Sequence, residues 1–299
     1  MRMTTPSDFI TRLRHVEVRS RIVSQELMAG QSDSIFKGRG MEFVDVREYS
    51  PGDDVRRIDW NVSARMRKTF IKRMVEEREL SVLLMVDLSA SGHFGTTGMT
   101  KRELAAELAG TLALSAIRNS DRVGLILFTN EVEHYLPPRK TRKHVQRLLR
   151  DLLTHTPKRE GTNIAEALKF ASRVTHRPAL IFLISDLHDE QYEMALKTAN
   201  QRHDLLVLHT IDPREEILPD VGLALVRDAE TGEILEIDTS DPAVRMAYRQ
   251  AALDRIARIR QFFQAARIGR LEIRAADEER AWPKALRAFL AQQSRRRVA

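Results

Sequence analysis

Three apolar runs, Ser81 to Val86, Ala179 to Ile184 and Leu205 to Ile211, are each the length of one strand and end in polar loops. A strand that is apolar at nearly every position is buried on both faces, as strands of parallel sheets are. Between and around these runs the period changes. Lys101 to Asn119 carries Leu104, Leu108, Leu112 and Ile117 on one side of a helix, and Thr141 to Leu153, Asn163 to Val174 and Glu193 to Arg202 also read as helices. Arg122 to Phe128 reads as a further strand, and Val132 to Leu136 as another. Buried strands alternating with helices predict an α/β fold: a doubly wound, mostly parallel sheet with helices on both faces.

The flanks are patterned differently. From Phe9 to Met28, Ile10, Leu13, Val16, Val18, Ile22 and Val23 fall at mainly helical spacing. A Gly-rich turn follows at Lys37-Gly38-Arg39-Gly40, then short strands near Glu42 to Arg47 and Thr69 to Met74. Beyond the alternating centre, Ala224 to Arg227 and Ile234 to Ile237 flank Glu230-Thr231-Gly232-Glu233 as a hairpin. A long helix over Asp241 to Ala266, a strand over Leu271 to Ile273 and a helix near Lys284 to Gln292 follow. The pattern divides the chain into an N-terminal extension (1–77), a central α/β domain (78–215) and a C-terminal hairpin and helical part (216–299) packed on the same domain.

Composition narrows the chemistry. A chain of 299 residues buries roughly three-quarters of its unfolded surface, so its core needs no covalent staple. Cysteine is absent, which excludes disulfides, thiolate metal sites and thiol nucleophiles and suits a reducing compartment. No apolar run approaches the ~20 residues of a membrane helix, and Met-Arg-Met-Thr-Thr-Pro lacks the apolar stretch of a secretory signal. The expected location is the cytoplasm, with no membrane span. The net charge of +7 divides into +3 over residues 1–80, −4 over 81–240 and +8 over 241–299. Nucleic-acid surfaces interleave basic with aromatic side chains, and aromatics are 6% here. Solvated helix faces with a basic tail, Arg295-Arg296-Arg297, are the plain reading, and an acidic partner surface is the functional alternative.

Ligands of doubly wound sheets collect beyond the carboxyl ends of the strands. There the first buried strand offers Asp87-Leu88-Ser89-Ala90-Ser91, the second offers Asp186, and Gly161-Thr162-Asn163 stands at the start of a helix. Two carboxylates and three hydroxyls, all hard oxygen donors, suit an octahedral magnesium that keeps several waters. Each element alone has a simpler explanation: Ser and Asp cap helices and strand ends, and Thr162 stands where an N-cap would.

Asp-x-Ser-x-Ser, a distant Thr, then Asp after an apolar strand resembles the metal-ion-dependent adhesion site of von Willebrand factor A domains. The resemblance implies that Ser89, Ser91 and Thr162 touch the metal through hydroxyls, with Asp87 and Asp186 acting mainly through water and hydrogen bonds. Magnesium is the implied ion, manganese or calcium the alternatives. A partner protein's Asp or Glu would complete the coordination, so the implied activity is binding and not catalysis. Gly38-Arg39-Gly40-Met41-Glu42-Phe43, Arg47-Glu48-Tyr49, Gly52-Asp53-Asp54-Val55-Arg56, Ile58-Asp59-Trp60 and Ser63-Ala64-Arg65 are similar to the signature of the bacterial family called domain of unknown function fifty-eight, which precedes an A-type domain. That resemblance covers about residues 20 to 210. It implies an adaptor working with a MoxR-type AAA+ ATPase in protein assembly or remodelling. Apart from the family, Asp53, Asp54, Arg56 and Asp59 around Trp60 read as paired charges pinning the N-terminal region onto the sheet domain. A docking surface that includes Arg47, Tyr49 and Gly52 is the alternative.

Other chemistries lack parts. A haloacid-dehalogenase-type phosphatase wants Asp-x-Asp-x-Thr, and the second position is Ser89. No Gly-x-x-x-x-Gly-Lys-Ser/Thr loop exists for an ATPase, and Gly95-Thr96-Thr97-Gly98 reads as a mobile loop beside the metal. Asp186, His188, Asp189 and Glu190 hint at a transition-metal site, but a lone His in a polar loop is usually solvated. Arg139, Lys140, Arg142, Lys143, Arg147 and Arg150 read as a solvated helix face, or as an acidic-partner or nucleic-acid face. A nucleic-acid-associated role through the basic C-terminus is the second functional reading, and a magnesium-dependent phosphohydrolase the third.

Overall fold

The computed structural model describes residues 6–28, 42–75, 80–89, 100–159, 161–189, 191–227, 234–275 and 281–298. Ser91, Glu190, the Lys37–Gly40 turn, the Gly95–Gly98 loop and the Glu230–Glu233 turn lie outside the described residues. The chain forms two units, Met1–Ile35 with Ser81–Ala299, and Phe36–Leu80. Residues 1–77, read as one extension from the sequence, therefore give helix α1 (Pro6–Met28) to the large unit and most of the remainder to the small one.

The small unit pairs β1 (Glu42–Glu48) antiparallel with β2 (Phe70–Val75), with α2 (Trp60–Met66) between them in sequence. Its charged signature residues work locally. Arg47 donates to both Asp53 oxygens at 2.9 and 2.7 Å, and Asp53 also accepts from Ser50 N–H. Asp54 caps the short 3-10 turn Val55–Arg57, and Asp59 caps α2 through Asn61 and Val62 N–H. Gly52 adopts φ 106°, a left-handed value that glycine tolerates without strain. Tyr49 N–H reaches Thr69 O, whereas Trp60 stands 71% exposed and Arg56 is exposed. Asp53, Asp54 and Asp59 are thus engaged within the small unit as turn partner and helix caps.

The large unit is built on a six-stranded sheet. In chain order its strands are β3 (Ser81–Asp87), β4 (Arg122–Phe128), β5 (Val132–Arg139), β6 (Leu180–Ser185), β7 (Asp204–Ile211) and, after the β8 (Leu223–Arg227) and β9 (Ile234–Asp238) hairpin, β10 (Gly269–Arg274). The spatial order is β10-β7-β6-β3-β4-β5, parallel throughout except for β5. Val82 to Val86 and Leu180 to Leu183 are fully buried, the outcome their unbroken apolar sequence requires. The helices are α3 (Lys101–Arg118), α4 (Arg142–Thr154), α5 (Ile164–Val174), α6 (Tyr192–Arg202), α7 (Pro242–Ala266) and α8 (Trp282–Val298). Leu83, Met85, Ile126 and Phe128 point to one face of the sheet, where Ile164, Leu168, Leu196, Phe262 and Phe263 of α5, α6 and α7 cover them. Helix α3 packs against β3, β4 and β7 and carries α1 and α4 on its outer sides. This is the doubly wound, mostly parallel architecture with helices on both faces that the apolar pattern predicts.

Helix α3 is the central helix and is buried nearly all round, including Lys101 and Glu107. It starts at a capping box in which Thr100 Oγ1 accepts from Glu103 N–H and Glu103 Oε2 accepts from Thr100 N–H. Helix α1 approaches it closely at Gly110, where a Cβ would lie 2.5 Å from Ser20 Oγ. Polar contacts fill the seam: Ser20 donates to Glu107 O, Ser115 donates to Ser24 Oγ, and Arg19 pairs with the buried Glu107 carboxylate at 2.7 Å.

The hairpin and α7 leave Leu223, Leu225, Ile234, Leu235 and Met246 exposed. The basic cluster lies partly on α4, whose apolar side buries Val145, Leu148, Leu149 and Leu152 while Arg147 and Arg150 pair with Asp151. No described helix is long and apolar enough to cross a membrane.

Candidate metal centre

Chain order reverses at β3, which has β4 on one side and β6 on the other. A crevice opens at such a switch point beyond the strand ends. Val86 lies beside Ile184 in the parallel register, which brings Asp87 next to Ser185. Ser185 Oγ donates to Asp87 Oδ2 at 2.7 Å, and Ser89 N–H donates to Asp87 Oδ1 at 2.9 Å. Asp186 follows Ser185 and turns back through the left-handed Leu187 (φ 58°), its Oδ1 accepting from His188 N–H at 3.3 Å. A cavity of about 10 Å³ is lined by Asp87, Ser89, Ser185, Asp186 and Thr210 together with Lys101, Arg102, Ala105 and Ile184, and Thr162 lies outside this lining. The cavity has room for about one water.

The Thr162 loop is fixed to the same edge. Phe128 O accepts from Leu88 N–H and Thr129 O accepts from Asn163 N–H, both at 2.9 Å, so the end of β4 holds the Asp87 loop and the Thr162 loop at successive residues. Asp189 Oδ2 accepts from Ile164 N–H at 2.8 Å and Oδ1 accepts from Gln191 N–H at 2.9 Å, tying the start of α5 to the loop after β6. Asn163, not Thr162, is the N-cap of α5, through Glu166 N–H. Thr162 Oγ1 is buried without a hydrogen-bond partner among the described residues. Such atoms are rare in folded proteins and call for an explanation.

Electrostatics distinguish the two carboxylates. Burial pushes the Asp87 carboxyl up to about 7, and the negative charge of Asp186 adds to this against the opposing hydrogen bonds of Ser89 and Ser185. Only neutral donors are hydrogen-bonded to Asp87 among the described residues. Asp186 instead receives the ammonium of Lys101, 2.6 Å from Oδ2. The same ammonium donates to Glu215, from the 3-10 turn after β7. Burial alone would lower the Lys101 pKa, but Asp186 and Glu215 outweigh it and hold the pKa above its ordinary value. Glu215 is likewise held below the usual carboxylate range, burial opposing and His188 and Lys101 prevailing.

Asp186, His188 and Glu215 present donor atoms within 4.8 Å of one another. Protein cations already serve this trio: Lys101 contacts Asp186 and Glu215, and Arg255 Nη1 donates to the His188 ring at 2.6 Å with its other nitrogen 3.7 Å from Glu215. An ion network therefore occupies these groups. Behind them, His209 Nε2 donates to Asp186 O at 3.1 Å while Arg270 of β10 donates to His209 Nδ1 at 2.8 Å. Burial first, and the Arg270 charge second, push His209 down to about 4, so it is neutral with its proton on Nε2.

The structure thus brings Asp87, Ser89, Thr162 and Asp186 to one edge. Sequence reasoning missed Lys101, Ser185, Glu215, His209 and Arg270. An unbroken apolar strand ending in Ser185 hid that hydroxyl, and Lys101 read as an ordinary first-turn residue. No local signal joins Lys101 to groups 85 and 114 positions away.

Comparison with known proteins complements this geometry. The family model described as Protein of unknown function DUF58 matches residues 45–258. The chain belongs to the DUF58 family. An uncharacterized protein of Mycobacterium tuberculosis (strain ATCC 25618 / H37Rv) is 32% identical over 290 residues, 96% of this DUF58 chain and 90% of the relative. An uncharacterized protein of Mycobacterium avium is 32% identical over 120 residues, 39% of this chain and 70% of that one. Among solved structures, the conserved hypothetical protein BatB from Bacteroides thetaiotaomicron is similar at 18% identity and a TM-score of 0.47, over 72% of this chain and 99% of that one. The SpRpn10 VWA domain is similar at 11% identity and a TM-score of 0.39, over 72% and 95%. At these TM-scores neither likeness informs function, and the architecture of this DUF58 protein is read from its own strand order.

Proposed function

We propose that this DUF58 protein is a cytoplasmic binding adaptor that holds one divalent cation, magnesium first, through Asp87, Ser89, Ser91, Thr162 and Asp186. The observation that carries the reading is a half-buried Asp87 carboxylate met by neutral donors, at the same sheet edge as a buried Thr162 hydroxyl without a partner among the described residues. A cation would supply what both lack: a counter-charge for the acid and an acceptor for the hydroxyl lone pair. The donors are all oxygen, the set hard cations prefer.

When bound, the ion would supply an electrophilic position for a carboxylate of a protein partner. This chain's residues do the rest. Ser89 N–H and Ser185 Oγ hold Asp87 in one orientation, His188 N–H and Lys101 hold Asp186, and Asp189 fixes the loop that carries Thr162. Lys101 cancels part of the acidic charge, which leaves an ion underneutralised and receptive to an acidic side chain. The hydrogen bonds described at this edge orient one polar group by another, an arrangement that suits binding. The resemblance of the small unit's signature supports a MoxR-type AAA+ ATPase as the setting.

Thermal unfolding of the full chain and of Asp87→Ala, titrated with MgCl2 and repeated in EDTA, tests the reading. A ligand bound only by the native state adds about 2.7 kcal/mol at a hundred times its dissociation constant. The expected result is a magnesium-dependent rise in Tm that Asp87→Ala lacks. Equal curves for both proteins at every magnesium concentration would overturn it. Pull-down of the ATPase with and without EDTA then tests the partner.

A further inference from the structure

We propose that Lys101 is a built-in counter-cation that shares Asp186 with the metal, so that the Lys101–Glu215 pair sets how tightly the ion is held. The inference rests on the metal reading above and assigns a residue outside the donor set to the control of affinity.

Lys101 is the first residue of α3, directly after the Thr100–Glu103 capping box that fixes the helix start. Its side chain is 3% exposed, so the ammonium is buried. It lines the same small cavity as Asp87, Ser89 and Asp186. An ion held by Asp87 and Asp186 meets a positive charge already bonded to Asp186. Buried charges this close are poorly screened by salt. The ammonium therefore weakens the hold on the ion and preserves its pull on an incoming acid.

Glu215 works in the opposite direction. It takes part of the Lys101 ammonium away from Asp186 and is itself held by His188 and by Arg255 from α7. The chain Arg255–Glu215–Lys101–Asp186 thus links α7 to the candidate metal centre through ion pairs. Removing Lys101 frees Asp186 for the ion. Removing Lys101 and Glu215 together does the same without changing the local net charge.

Calorimetric titration of MgCl2 into the full chain tests this with wild type, Lys101→Met, the double variant Lys101→Met/Glu215→Gln, and Asp87→Ala as the blank. Circular dichroism establishes which variants are folded. Both lysine variants are expected to bind magnesium about tenfold more tightly than wild type, a modest share of one close buried charge. Binding by these variants where wild type gives no heat would support the same conclusion. If the single variant is unfolded, the charge-balanced double variant decides alone. Affinity equal to or weaker than wild type in the folded lysine variants would overturn the role of Lys101 and leave the metal reading standing. Absence of magnesium heat in wild type and in every folded variant would overturn the metal reading and this inference together.

Discussion

Asp189 holds two helix starts with one carboxylate, accepting from Ile164 N–H and from Gln191 N–H. Helix-start acceptors of this kind contribute about 0.5–2 kcal/mol. Asp189→Ala should therefore lower unfolding stability in urea by about 1 kcal/mol and, because the Thr162 loop is released, shrink the magnesium-dependent rise in Tm. Asp189→Asn should retain most of both. His209 gives a pH dependence. Its pKa falls from an ordinary value near 6.5 to about 4 on folding. The folded state therefore binds fewer protons than the unfolded chain across that window. The contribution of His209 is complete above about pH 6.5 and is lost as pH falls toward 4. Thermal unfolding between pH 7 and pH 4.5 should show an acid-side decline that is shallower in His209→Gln.

At the scale of elements, α1 and α3 approach closely at Gly110, which offers no side chain against Ser20. Glycine costs a helix interior roughly 1 kcal/mol relative to alanine, and the close approach accounts for its presence. Gly110→Leu should destabilise by about 1–3 kcal/mol or more through overpacking, as read by urea denaturation. Arg19→Met should destabilise by up to about 3–5 kcal/mol, because it removes a 2.7 Å ion pair from the buried Glu107 carboxylate. Equal stability in both variants would show that α1 is dispensable to the large unit.

For the whole molecule, what was legible in the sequence was what depends on period. The runs Ser81–Val86, Ala179–Ile184 and Leu205–Ile211 announced β3, β6 and β7 because a strand buried on both faces has nowhere to place polar residues. The helix read over Asp241 to Ala266 is α7, Pro242–Ala266, capped by Asp241. Of the candidate site, Asp87 and Asp186 were legible because each ends such a run. Lys101, Glu215 and Arg270 were not, since their meaning comes from partners far along the chain. Within the small unit, Asp53, Asp54 and Asp59 serve as turn partner and helix caps, roles that acidic residues beside a turn take readily.

The link from Arg270 through His209 to the Asp186 carbonyl also has a timing. Arg270 follows His209 by 61 positions, and ribosomes add about 5–20 residues each second. For about 3–12 s of synthesis, therefore, the emerging chain carries Asp87, Lys101, Asp186 and His209 without the last strand that steadies them. The Arg270–His209–Asp186 link is completed only once β10 has been made.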